Sequence, residues 1–151
     1  MAYYNLQEAV TNKILLITLS VWAITQGLKV IFGVIRERRF NFKWFIGTGG
    51  MPSSHTSGAA ALAVSCGLSA GFDSVIFAVT AVFALVTMFD AQGVRRSTGQ
   101  QAALLNKIMD DLYHGRVEAD KLRELIGHTP LEVIMGFFLG IFLSLVLYQI
   151  W

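Results

Sequence analysis

The chain is 151 residues long, 54% hydrophobic and 15% charged, with a formal net charge of +2 and a mean hydropathy of +0.57. That length allows one domain, but a soluble domain of this size needs more polar surface than the composition supplies. A single cysteine, Cys66, excludes an intramolecular disulfide, and its apolar neighbours favour a small buried residue over a reactive thiol.

The opening MAYYNLQEAV has neither a basic n-region nor a small-residue cleavage site, so no removable signal peptide is expected. A helix needs roughly 20 mostly apolar residues to cross a bilayer core. The first candidate span covers about 12–35, carries Lys29 near its end and stops at Arg36-Glu37-Arg38-Arg39. A loop follows with Lys43, the interfacial pair Trp44-Phe45 and the glycine-rich stretch from Gly47 to Gly50. The second span, about 54–71, is rich in Ala, Gly and Ser, which lets neighbouring helices approach closely and predicts a place in the middle of a bundle. Asp73 is a candidate N-cap for a third span, about 73–90. The last span covers about 131–150.

Between the third and last spans lies a polar insert, about 91–127, whose pattern predicts helices near 99–112 and 117–126, broken around His114-Gly115. The fold class expected is therefore all-α: a multi-pass membrane bundle of about four transmembrane helices with a polar helical insert, forming one membrane-embedded domain over 1–151. Four crossings put Arg36, Arg38, Arg39, Lys43, Arg95, Arg96, Lys107, Arg116, Lys121 and Arg123 on one side and Lys13 on the other. The positive-inside bias makes the crowded side cytoplasmic.

The same side collects the residues suited to chemistry. Lys29 and Arg36 sit seven residues apart, two turns along one helical face; they read either as a snorkelling pair or as anion ligands. Met51-Pro52-Ser53-Ser54-His55 leads from the glycine-rich loop into a helix start, where free backbone N–H groups bind anions and a histidine can act as a general acid. An ordinary capped helix start fits equally well. Asp90 and the arginines Arg95 and Arg96 close the third span. A guanidinium fork matches phosphate oxygens, although cations there also suit lipid headgroups. Asp90 is read as an arginine partner ahead of a metal ligand. His128 and Glu132 are four apart, so the carboxylate can hold one imidazole nitrogen and leave the other basic, or simply form a helix-start ion pair. His114 reads as a surface residue. Cations, two histidines and a carboxylate at one level describe a phosphate-ester site.

These residues resemble the superfamily of type 2 phosphatidic acid phosphatases and vanadium haloperoxidases, and more narrowly its short divergent bacterial and plant branch. The superfamily pattern runs K-x6-R-P, then P-S-G-H, then S-R-x5-H-x3-D. Lys29 and Arg36 match the first part, with Glu37 in place of proline; PSSH at 52–55 matches the second, with Ser54 in place of glycine. His128 and Glu132 match the end of the third, with glutamate for aspartate, and Val133, Gly136 and Gly140 fit the helix that follows. The third arginine should lie six residues before the histidine; here Arg95 or Arg96 must supply it across the insert, with Arg123 as the sequence-near rival. The strings GGMPSSH, DAQGVRR and GHTPLEV are similar to those of the divergent branch, and the match runs from about Lys29 to Gly140.

The resemblance implies roles. Lys29, Arg36, Arg95 or Arg96 and the Ser53–Ser54 region would bind phosphate. His55 would be the general acid, His128 the nucleophile forming a phosphohistidine, and Glu132 its orienting partner. Neither a cofactor nor a metal is implied. The expected activity is hydrolysis of a lipid phosphate monoester, such as phosphatidate or phosphatidylglycerophosphate, in a bacterial inner membrane or a plastid-type membrane. The alternative is a non-catalytic lipid- or anion-binding membrane protein that keeps the phosphate cradle. The expected partners are the lipid substrate and membrane lipids rather than nucleic acid, and a homodimer would help to wall off the site.

Overall fold

The computed structural model describes residues 6–38, 50–113, 122 and 127–151, and at Leu6, Gln7, Arg36 and Arg95 it describes the helix backbone alone. Six helices form among these residues: α1 (Leu6–Val10), α2 (Lys13–Glu37), α3 (Ser54–Ala70), α4 (Val75–Gln92), α5 (Val94–Tyr113) and α6 (Pro130–Ile150). The protein is an all-helical integral membrane bundle. Three stretches, Lys13–Ile35, Val75–Leu112 and Pro130–Ile150, are long and apolar enough to cross a bilayer. Their outward residues include Trp22, Phe32, Val79, Phe83, Phe138 and Phe142, all exposed. A patch of that kind is untenable in water and ordinary against lipid.

The remaining crossing is α3, placed in the middle as its composition predicts and packed against α2, α4 and α6. Its 17 residues span about 25 Å at 1.5 Å per residue, slightly less than a hydrocarbon core of about 30 Å. Nearly the whole first half is buried. Small residues allow that. A Cβ on Gly136 of α6 would lie 2.5 Å from the Ser53 carbonyl oxygen, and one on Gly140 would lie 2.4 Å from that of Ser57. The helices therefore touch backbone to backbone along this seam. Buried hydroxyls add polar links where no water is at hand. Ser57 donates to Thr25 Oγ1 of α2 at 2.9 Å, and Thr25 in turn donates to the Val21 carbonyl.

At one end of the bundle, Lys13 Nζ sits 3.9 Å from the centre of the Tyr148 ring. Beside them Ile17, Val21 and Ala61 pack with Leu143 and Leu147. The opposite end gathers the last turn of α2, the starts of α3 and α6, and the end of α4.

Several boundaries differ from expectation. The N-cap of α4 is Ser74, whose hydroxyl accepts from Phe77 N at 3.2 Å and donates to the Gly71 carbonyl. Asp73 instead lies over Gly71, with Oδ1 2.6 Å from where a Cβ would stand. The third span continues past Asp90 to Gln92, so Ala91 belongs to α4 and not to the insert. After a break at Gly93, α5 begins at Val94, five residues before the predicted start, because Gly99 and Ala102 pack inward and give it a buried face. Short α1 lacks the length for a clear periodic signal and was not expected. His114, the region 117–121 and the region 123–126 lie outside the described residues. Leu122 is described, and Asn106 of α5 pairs with it twice at 2.9 Å: Nδ2 donates to its carbonyl, and its N–H donates to Oδ1.

Replacing Gly140 with alanine should force the α3–α6 seam apart and cost about 1–3 kcal/mol, as core overpacking does. Cys66, 4% exposed, reports this directly. Its thiol should label several-fold faster in the detergent-solubilised Gly140→Ala protein than in the wild type; equal rates would show that the seam has slack.

Candidate functional site

The site is built on the start of α6. Thr129 is the N-cap, and its hydroxyl accepts the Glu132 N–H at 3.4 Å. Glu132 Oε2 accepts the Thr129 N–H in return at 3.1 Å, completing a capping box. The same Oε2 lies 3.1 Å from His128 Nδ1. His128 precedes the helix, so the pair does not share a helical face as the spacing suggested. It forms because the cap folds the carboxylate back over the chain entering α6. A carboxylate can only accept, so Nδ1 carries the proton and the Nε2 lone pair stays available.

His128 is 3% exposed, and Nε2 is buried with no hydrogen-bond partner among the described residues. A buried nitrogen left this way forfeits its hydration. Its backbone is pinned as well: His128 N–H donates to the Ala91 carbonyl of α4 at 3.1 Å. The Glu132 carbonyl receives the Ser53 N–H from the start of α3 at 3.2 Å. Three helix ends are thus tied around one imidazole.

A small recess at this point is lined by His55, Thr87, Asp90, Ala91 and His128. His55, exposed on the otherwise buried first turn of α3, shares it with buried His128. Ser53 Oγ accepts from Thr56 N at 3.4 Å and Thr56 Oγ1 at 3.0 Å, which places this side chain in the α3 cap. Ser54 is 1% exposed beside it. Thr87 and Ala91 join the lining without being candidates in the sequence, and Asp90, which the sequence offers as an arginine partner, lies with the two histidines. Nothing in the sequence marked Thr87 or Ala91, since only the end of α4 against α6 puts them there.

Lys29 is only 5% exposed, unusual for a lysine outside a designed charge environment. It and Glu132 are close enough to attract one another, and its stem runs past Gly50, where a Cβ would stand 3.4 Å from Lys29 Cε. Gly50 has φ +99, a conformation that glycine adopts without strain. Arg96 is exposed on the first turn of α5. The side chains of Arg36 and Arg95, and the whole of Arg123, lie outside the described residues. No group of three or more His, Cys, Asp or Glu side chains suited to a metal occurs among the described residues.

Comparison with known proteins adds to this geometry. The family model described as "Divergent PAP2 family" matches residues 10–143. A Bacillus subtilis (strain 168) protein, the uncharacterized membrane protein YuiD, is 42% identical over 152 residues, covering 93% of this chain and 96% of its own. No solved structure matches.

Glu132 serves the cap and the imidazole with one oxygen, so Glu132→Ala should lose about 1 kcal/mol from the cap and release His128. Faster Cys66 labelling together with a changed His128 ring resonance is the expected result. Glu132→Gln, which keeps an acceptor, should retain most of the stability; equal behaviour of the two variants would contradict the dual role.

Proposed function

The chain belongs to the divergent PAP2 family, and from that premise we propose that it is a phosphatase hydrolysing a lipid phosphate monoester through a phosphohistidine on His128. The observation that carries the reading is the His128 imidazole: held at Nδ1 by Glu132, buried, and unpartnered at Nε2 among the described residues. A core histidine kept only for stability has no reason to leave that nitrogen bare.

In this mechanism the Nε2 lone pair attacks phosphorus as the bond to the alkoxide breaks in line. His55, across the recess, gives its proton to the departing oxygen. Positive charge growing on His128 is stabilised by the Glu132 carboxylate. In the second half, His55 takes a proton from water as that water attacks the phosphorus, and His128 leaves with its electron pair. Lys29, Arg36 and Arg95 or Arg96 would balance the charge on the non-bridging oxygens. His128, Glu132 and His55 are thus the catalytic set, and Ser53 and Ser54 shape the phosphate end of α3. The step draws on protein groups alone and needs no cofactor.

A lipid substrate is favoured because the recess lies at one end of a bundle whose flanks are lipid-facing, at the level where a headgroup would sit. The cation bias around that end favours the cytoplasmic side, where phosphatidate-like and phosphatidylglycerophosphate-like lipids are accessible.

Purified protein should release phosphate from vesicles carrying either lipid, with activity unchanged by EDTA. His128→Ala should lower the rate by at least about a thousandfold, as expected when a nucleophile is removed. Activity surviving that change would refute the assignment. Tight lipid-phosphate binding with no turnover in the wild type would point to the non-catalytic alternative.

A further inference from the structure

Asp90 has no place in the three-part pattern, yet the end of α4 sets it in the recess with both histidines. A carboxylate beside an anion site repels the substrate, at a cost of order 1 kcal/mol at 4 Å in water and more in a shielded recess. It is tolerable there if it faces a cation or a donating N–H. Of the other lining groups, Thr87 donates its hydroxyl to the Phe83 carbonyl at 2.8 Å, and the Ala91 carbonyl takes the His128 N–H. Glu132, the neighbouring carboxylate, is committed to His128 and Thr129. Asp90 is therefore the carboxylate lining the recess, the strongest acceptor there for a ring N–H, and His55 is the imidazole not served by Glu132.

We propose that Asp90 is the positioning residue for His55, accepting one ring N–H and turning the other toward the oxygen of the departing alcohol. The site would then hold two carboxylate–imidazole couples facing each other: Glu132 with the nucleophile and Asp90 with the acid. Asp90 takes up no proton in the cycle. The proton moves from His55 to the alkoxide in the first half and from water to His55 in the second. Among the described residues, the other charged groups near this point on elements packed against α3 are Lys29 of α2, whose stem lies beside Gly50, and Glu132 of α6, which attracts it. This inference takes its chemical consequence from the phosphatase reading, but the Asp90–His55 contact is testable without turnover.

The kinetic test compares wild type, Asp90→Asn, His55→Asn and the double variant on two substrates. Phosphatidate has a poor alkoxide leaving group that needs a positioned acid; p-nitrophenyl phosphate has an acidic leaving group that needs little help. General acids contribute roughly 10²–10⁴-fold. Asp90→Asn should therefore slow phosphatidate turnover about 10- to 100-fold, and by at least about tenfold more than it slows p-nitrophenyl phosphate turnover. The double variant should be no slower than His55→Asn. Equal losses on both substrates, or additive losses in the double variant, would overturn the assignment. The second arm is 15N spectroscopy of the imidazole rings in detergent. Asp90→Asn should move the His55 ring nitrogens and leave those of His128 in place, and Asp90→Glu should restore the signal. An unmoved His55 resonance overturns the pairing whatever the activity, and would assign Asp90 to a basic group such as Arg96. A wild type that releases no phosphate while His55 still responds to Asp90 would refute the phosphatase reading and sustain the pairing.

Discussion

The close approach of α3 and α6 is the constraint on which the site depends. Gly136 and Gly140 let the backbone of α3 press directly against α6, with no room for a Cβ at either position. At the upper end of that seam the Ser53 N–H meets the Glu132 carbonyl. His55 follows Ser53 by two residues and His128 precedes Glu132 by four, so closing the seam brings the histidines to one recess. In lipid no hydrophobic force draws helices together, and close van der Waals packing has to hold them. The same small residues thus serve stability and the placement of the chemistry.

Glu132 shows how economically the charged groups are used. One oxygen closes the α6 cap and fixes the His128 tautomer, and the carboxylate attracts the buried Lys29. A buried charge is costly unless it is paired and hydrogen-bonded, and these contacts meet both conditions for a residue at a bilayer boundary. Lys29 on α2 and Arg96 in the first turn of α5 lie toward the same end. At the far end, among the described residues, Lys13 lies over the Tyr148 ring.

Much of this was legible in the sequence because membrane crossing leaves a strong mark. Apolar length gave α2, α4 and α6, and the Ala, Gly and Ser content of α3 placed it centrally. Spacing alone suggested that Glu132 serves His128. The geometry behind that pairing was not legible, because i and i+4 imply a shared helical face, whereas the contact here is made by a capping box over a residue outside the helix. The sequence does not separate Asp73 from Ser74 as the cap, because both residue types accept from backbone N–H groups equally well. The helix α5 starts before its sequence signal because polar Arg95, Arg96, Ser97 and Thr98 hide the helical period that the buried Gly99, Ala102 and Asn106 reveal. In the sequence Asp90 reads as an arginine partner. Its place in one recess with two histidines depends on how α4 meets α6, a long-range contact with no local signature.

The central claim is that His128 Nε2 is the nucleophile, and trapping the intermediate tests it most directly. Rapid alkaline quenching of the protein with 32P-labelled lipid phosphate, followed by peptide mapping, should find label on His128 at Nε2, because Glu132 occupies Nδ1. Label on His55, on Nδ1 of His128, or on no residue while phosphate is being released would contradict the account.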